Sequence, residues 1–358
     1  MRRGWLIVVA LVAVVAIVLY ALRGPMAVRL TKAAAERLMG GDAIAELPDG
    51  LNVVLCGAAG PLPDPVRSGP CVAVIAGKHL YEVDAGDGAA RMLTRLGLPP
   101  GRVEALFLTH FHSDHIDGLG ELTVLRWAGG NHSDPLPVFG PTGVETVVDG
   151  FNQAYSLDAK YRVAHHGPEV VPPSGAGGKA FAFDLPAEGT APIIWSADGL
   201  TVRTFRVHHD PVKPAVGYRF DYAGRSVVIS GDTAKSANLE HFAEGVDVLV
   251  HEGLSPALVG AMHDAAIAVD RPLTAKVMSD ILSYHTSPVA AAEIAAAAKV
   301  RELVFYHVIP PLRVPGSEAA FLDGVSKVYG GTVVLGRDGT QVSLPRDSTA
   351  IDNSQRSY

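Results

Sequence analysis

The stretch 108–118, LTHFHSDHIDG, gathers His110, His112, Asp114, His115 and Asp117 directly after the apolar run VEALFL. Imidazoles and carboxylates bind zinc and similar divalent ions, and catalytic sites of this kind leave a position open for water. Residues two apart in an extended segment point the same way, so His110 and His112 can reach one ion. Asp114 and His115 fall where the chain turns toward the next helix, which suits a second ion beside the first. Two metals about 3.5–4 Å apart stabilise both the attacking and the leaving oxygen of a hydrolytic displacement. A polar turn with hydrogen-bonded histidines accounts for one such side chain, not for four after a buried strand. Asp117 reads as a helix-start or supporting residue.

These residues need a rigid frame. NVVLC, CVAVIAG and HLYEVDAG are short apolar runs closed by Gly, Pro or Asp, and so read as strands. DGAARMLTRLG, GLGELTVLRWAG and GVETVVDGFNQAY have helical spacing. Residues 165–191 are rich in Gly, Pro and Ala and read as a loop or insertion. Strands resume with IIWSADGLTVRTFRV, AVGYRFDYAGRSVVIS and VDVLVHE, with a tight turn at Ala223-Gly224. Helices are expected at about 255–270, 273–283 and 288–299, then a strand at RELVFYHV, then a helix and two final strands over 317–344. Each half thus carries a sheet with helices. Two sheets face to face with helices outside satisfy burial, which gives an α/β, four-layer αββα sandwich.

The motif His110-x-His112-x-Asp114-His115 resembles the signature of the metallo-β-lactamase superfamily, and the likeness extends over about 51–345. LYEVDAG is similar to the strand ending in Asp84, whose implied role is to support the metal site from behind its ligands. VVISGDT resembles the element in which Asp232 bridges two metals, and LVFYHV the one in which His307 binds the second. The remaining ligand comes from AHHG (His165, His166) or VHHDPVKPAVGYRF (His208, His209). The resemblance is nearest to the ribonuclease Z and arylsulfatase-like branch, where a His precedes a Gly-Tyr-Arg strand; His209 fits that place best. The implied set is His110, His112 and His209 on one metal, and Asp114, His115 and His307 on the other, with Asp232 between. LVHEG and YHTSP resemble elements whose Glu252 and His285 would shuttle a proton to the leaving oxygen. Arg219 either holds its strand or reaches a substrate phosphate.

The resemblance implies two divalent metals, zinc first with manganese or iron compatible, and a metal-bound hydroxide that cleaves a phosphodiester or related ester. Asp114, Glu252 and His285 are the residues expected to take part in catalysis. A glyoxalase-, lactonase- or arylsulfatase-type ester hydrolase is the alternative, and a membrane-anchored binding protein on the same fold is a third reading. Transfer RNA is disfavoured as a partner against a small-molecule or nucleotide ester. No lysine-rich, glycine-containing arm is visible, and the net charge of −7 lacks the basic excess of a nucleic-acid binder.

The 358 residues suit one large domain or two smaller ones. After a short basic start (1–4), Trp5 to Leu22 carries no charge and is long enough to cross a bilayer. No Ala-x-Ala site precedes Arg23, which favours an uncleaved anchor over a secretory signal. Arg2 and Arg3 place the catalytic domain outside the cytoplasm, although Arg23, Arg29, Lys32 and Arg37 pull the other way. Residues 23–50 read as a connector, partly helical around TKAAAERLM, 51–345 as the hydrolase domain, and 346–358 as a polar tail. Cys56 and Cys71 read as small core residues, or as a single bridge in an oxidising compartment. Oligomeric state stays open, a homodimer being compatible.

Overall fold

The computed structural model describes residues 2–357. The chain divides into an N-terminal unit ending at Glu46 and a larger unit from Leu47 onward. The first unit is dominated by α1 (Arg2–Gly40), 39 residues long and passing through Pro25. The connector expected from Arg23 onward is therefore helix as far as Gly40. Its Ala-rich sequence has high helix propensity, and Lys32 and Glu36 pair one turn apart at 3.5 Å.

In the larger unit the chain first lays down β1 (Gly50–Gly57), β2 (Cys71–Ala76), β3 (His79–Val83), β4 (Val103–Phe107), β5 (Leu136–Pro141) and β6 (Gly178–Phe183). It then crosses to a second sheet: β7 (Ile193–Ala197), β8 (Leu200–Arg206), β9 (Val216–Tyr222), β10 (Arg225–Ile229), β11 (Val248–Leu254), β12 (Glu302–Ile309) and β13 (Thr332–Leu335). Strands β14 (Thr340–Pro345) and β15 (Asp352–Gln355) return to the first. Among the described residues the orders are β15-β14-β1-β2-β3-β4-β5-β6 and β13-β12-β11-β10-β9-β8-β7.

The central strands β1, β2, β11 and β12 are buried along their whole length, so both of their faces are covered. On β12, Val304 and Tyr306 enter the core between the sheets, with Val53, Val74 and Val83 of the first sheet. The alternate residues Leu303 and Phe305 enter a second core, which holds Leu239, Ile294 and Phe321. These come from α6 (Ala237–Phe242), α9 (Pro288–Ala297) and α10 (Ser317–Phe321). The first sheet packs against α2 (Ala89–Arg95), α4 (Leu119–Gly130) and α5 (Val144–His166). Phe107, at the end of β4, is ringed by Tyr81, Phe139, Trp195, Tyr218 and Phe220 at 5.3–6.4 Å. This aromatic cluster fixes the strand that delivers the histidine motif.

Three segments differ from their composition. Residues 165–191 contain β6, which pairs in parallel with β5; GKAFAF alternates small and aromatic residues inside a Gly/Pro-rich stretch. Within the expected polar tail 346–358, β15 pairs with β14. The ladder needs only backbone groups, and Arg225 donates to the carbonyls of Ser348 and Ala350, both at 2.9 Å. Cys56 and Cys71 are bonded to each other and buried. The bridge closes the loop 57–70, a pairing that sequence left open.

Candidate metal centre

The candidate residues meet where strands of both sheets end. β4 runs out at Phe107, and Leu108 and Thr109 carry the chain to His110. Tyr218 of β9 donates its hydroxyl to Leu108 O, tying the second sheet to the first just before the motif. Asp84 follows β3 at φ 56, a left-handed conformation that is strained for a side chain other than Gly. Its carboxylate accepts from Thr109 N and Thr109 Oγ1, both at 2.8 Å, and from His115 Nδ1 at 2.8 Å. Thr109 Oγ1 gives its proton to Asp84 and so accepts from His110 Nδ1–H at 3.0 Å. Both histidines are thereby held in the tautomer that leaves Nε2 as a free lone pair.

The second sheet contributes from one strand and two separate loops. His307 is the extra residue of a bulge in β12: Glu252 pairs with Tyr306 and Gly253 with Val308. At φ 46 it is turned out of the strand's alternation, and a bulge re-aims a side chain in this way. Gly231 at φ 62 brings the chain into Asp232; a Cβ there would stand 2.8 Å from Val216 O. His209 Nδ1–H donates to Tyr284 O at 2.9 Å, again freeing Nε2. His208 faces elsewhere, with Nε2 3.1 Å from Glu188. His165 and His166 are exposed on the last turn of α5. Of the four alternatives for the middle position, only His209 reaches the cluster.

Two adjoining groups result, joined by a third made of Asp232, His285 and His307. Ligand-type atoms of His110, His112, His209 and Asp232 lie within 4.8 Å of one another, as do those of Asp114, His115 and His307. His112 Nδ1 stands 3.1 Å from His110 Nε2 and 3.3 Å from His209 Nε2. Nitrogens about 2.05 Å from one tetrahedral ion stand about 3.3 Å apart, so this spacing is that of a shared cation. Asp232 links the groups: Oδ2 lies 3.8 Å from His110 and from His209 and 3.4 Å from His307, while Oδ1 lies 3.4 Å from His115. His307 Nε2 is 3.2 Å from Asp114. His115 Nε2 and Asp232 Oδ1 are buried without a hydrogen-bond partner. Orphaned polar atoms of this kind call for a further group.

The electrostatics agree. Burial pushes His110 well below the usual histidine range, with His115 adding to the effect; burial also lowers His112 and His209. Burial thus favours the unprotonated form that a metal ligand needs. Burial would raise Asp232, but His307 and His115 hold it well below the carboxylate range. Burial would lower His115, but Asp232, Asp84 and Asp114 outweigh it and raise it well above the ordinary value. The carboxylates thus demand positive charge at the point where an ion fits.

Beside the centre, His285 Nδ1 lies 3.2 Å from Glu252 Oε1. Glu252, on β11 opposite the bulge, also accepts from Thr286 N at 2.8 Å. Burial would lower His285, but Glu252 outweighs it and raises the imidazole. His285 stands between the His209 and His307 rings, with centroids at 5.2 and 5.6 Å.

A cleft of 690 Å³ opens at Asp114 and is walled by the loop 57–70, with Asp64, Asp87, Asp117 and Asp338 facing Arg67 and Arg95. The loop is held by the disulfide, by Val308 N donating to Ala58 O, and by Asp338, which accepts from Ala58 N and Ser68 N. Asp117 is exposed at this cleft and stands outside both groups. Arg219 pairs with Asp221 and donates to Phe242 O, occupied with its own sheet. Thr109 and the Tyr284 carbonyl are parts of the site that the sequence does not reveal. They act through a hydroxyl and a backbone group, which leave no compositional signal.

Comparison with known proteins agrees with this geometry. A family model described as "Beta-lactamase superfamily domain" matches residues 82–308. Ribonuclease Z of Mycobacterium avium (strain 104) is 36% identical over 300 residues, covering 83% of this chain and 100% of that protein. Ribonuclease Z of Mycolicibacterium gilvum (strain PYR-GCK) is 35% identical over 270 residues, covering 75% and 87%. Among solved structures, the short form of human tRNase Z aligns with a TM-score of 0.58 at 21% identity, over 82% of this chain and 99% of that one. The metallo-beta-lactamase fold protein YhfI from Bacillus subtilis aligns at 0.57 and 18%, over 82% and 99%. Fold and site together define a metal-dependent hydrolase of the β-lactamase superfamily. Within that superfamily the chain belongs to the ribonuclease Z family.

Proposed function

We propose that the protein is a binuclear phosphodiesterase of the ribonuclease Z type. The observation that carries this reading is the convergence of seven side chains in two groups that share Asp232. His110, His112 and His209 would hold one divalent ion and Asp114, His115 and His307 the other, with Asp232 common to both; zinc fits the nitrogen-rich set best. When bound, such a pair supplies an acidified water and positive charge for the phosphoryl oxygens. The chain's own residues do the rest. Asp84 and Thr109 orient the imidazoles. Glu252 holds His285 so that its other ring nitrogen can give a proton to the departing oxygen. The loop 57–70 bounds the approach and limits water.

The relatives' name points to RNA. The acidic lining of the cleft beside Asp114 favours a compact phosphodiester over a long polyanion, because RNA binding draws on Lys and Arg. Parallel assays separate the two. The metal-loaded full chain is expected to hydrolyse bis(p-nitrophenyl) phosphate and to leave 3′-extended transfer RNA uncut; trimming of the RNA decides for the family's named activity. Failure on both substrates, with metals bound, overturns the phosphodiesterase reading.

The N-terminal helix is read as a membrane anchor holding the catalytic domain outside the cytoplasm. Two observations support this: the helix Gly4–Glu36, which contains an apolar stretch long enough to cross a bilayer, and the Cys56–Cys71 disulfide, which suits an oxidising compartment. A topology reporter fused to the C-terminus is expected to register outside; a cytoplasmic signal overturns it.

A further inference from the structure

Between Glu252 and His285 the chain inserts a helical hairpin, α7 (Pro256–Ala268) and α8 (Pro272–Asp280). Its inner face is anchored: Val259, Met278 and Ile281 pack with Leu254 and Ile309 beside the metal centre. Its outer end is not. Every residue from 267 to 274 is exposed, including Ile267 (56%), Val269 (67%) and Leu273 (81%), with Val277 one turn on from Leu273. Large apolar side chains exposed together at one tip form a patch of the kind that marks an interaction surface.

We propose that this tip docks into the headgroup–acyl boundary of the bilayer carrying the N-terminal helix, which brings the mouth of the metal centre to the membrane surface. The inference rests on the reading of that helix as an anchor. The charges are sparse and balanced: Asp264, Asp270 and Asp280 against Arg271 and Lys276, with Lys276 paired to Asp280. Docking is therefore by apolar insertion, independent of anionic lipid. A projecting tip suits a bilayer better than a second copy, whose flat interface takes about 800 Å² per partner. The N-terminal helix supplies the bilayer: α1 is about 58 Å long against about 30 Å of hydrocarbon.

The test uses the full chain reconstituted in phosphatidylcholine vesicles, with Leu273→Cys carrying an environment-sensitive fluorophore and Asp149→Cys, exposed on α5, as the control. The native cysteines are bonded, so labelling is specific. The label at 273 is expected to shift to the blue and lose roughly half its emission to brominated acyl chains, with the control unchanged. The same result is expected in nanodiscs holding one chain each and at high salt. A label at 273 as wet as the control overturns the proposal, and burial lost at one chain per disc assigns the tip to a second copy and overturns it too. A chain that does not float with the vesicles removes the anchor and the docking together, an outcome distinct from a floating chain with a wet tip.

Discussion

The two sheets supply the centre in opposite ways. The first delivers His110, His112, Asp114 and His115 from one short stretch after β4, with His115 held directly and His110 through Thr109 by one buried carboxylate, Asp84. The second delivers His209 and Asp232 from two separate loops and His307 from within β12, each placed by a different local device: a carbonyl, a left-handed glycine and a bulge. A compact motif therefore depends on one support, whereas a dispersed set depends on the whole sheet. The dispersed half also carries the shared residue and the Glu252–His285 pair.

The sharpest way to break this contrast is Asp232→Ala, which removes the group common to both clusters. Turnover is expected to fall roughly a thousandfold or more, with metal content falling too; a variant that keeps both would make the two clusters independent. Next, His285→Ala should lower kcat by about 10²–10⁴ with bound metal unchanged, and Glu252→Gln should move in the same direction. Loss of metal in either variant would put the pair in a supporting role. For the first sheet, Asp84→Asn should weaken metal affinity about 10–100-fold, read by competition with a chelator. An unchanged affinity would mean that the compact motif stands without its support.

The opposite end of the second sheet gives the smallest effect. There Asp247 accepts from Arg225 at 2.9 and 3.0 Å and from Arg301 at 2.6 Å, at the start of β10 and β11. Burial would raise Asp247, but the two guanidiniums hold it below the ordinary 3.8. Its contribution is present above that pH and is lost as pH falls through the folded value. Asp247→Asn should cost about 2 kcal/mol at neutral pH and flatten the acid side of the stability profile, while turnover stays as in the parent. A loss of turnover without loss of stability would connect this end to the centre.

The same contrast explains what sequence could reveal. His110 to His115 are legible because strand alternation and one turn place them, whatever lies elsewhere. Asp232 and His307 are legible only through resemblance, since nothing in VVISGDT or LVFYHV taken alone points to a metal. His209 is preferred over its neighbour His208 only through resemblance, because adjacent residues differ in which one finds the Tyr284 carbonyl. The layered fold follows from alternating apolar runs. Strand β15 does not, because its pairing uses backbone groups and the reach of Arg225.

The central claim is that seven residues hold two ions that drive phosphodiester cleavage. The direct test is the metal-to-chain ratio of the purified full-length protein, measured with turnover of bis(p-nitrophenyl) phosphate before and after chelation, for the parent and for Asp114→Ala. The expected result is about two ions per chain in the parent and about one in the variant, with turnover lost on substitution or chelation and restored to the parent by zinc or manganese. A parent that binds no ion or one, or turnover that survives chelation, contradicts the account.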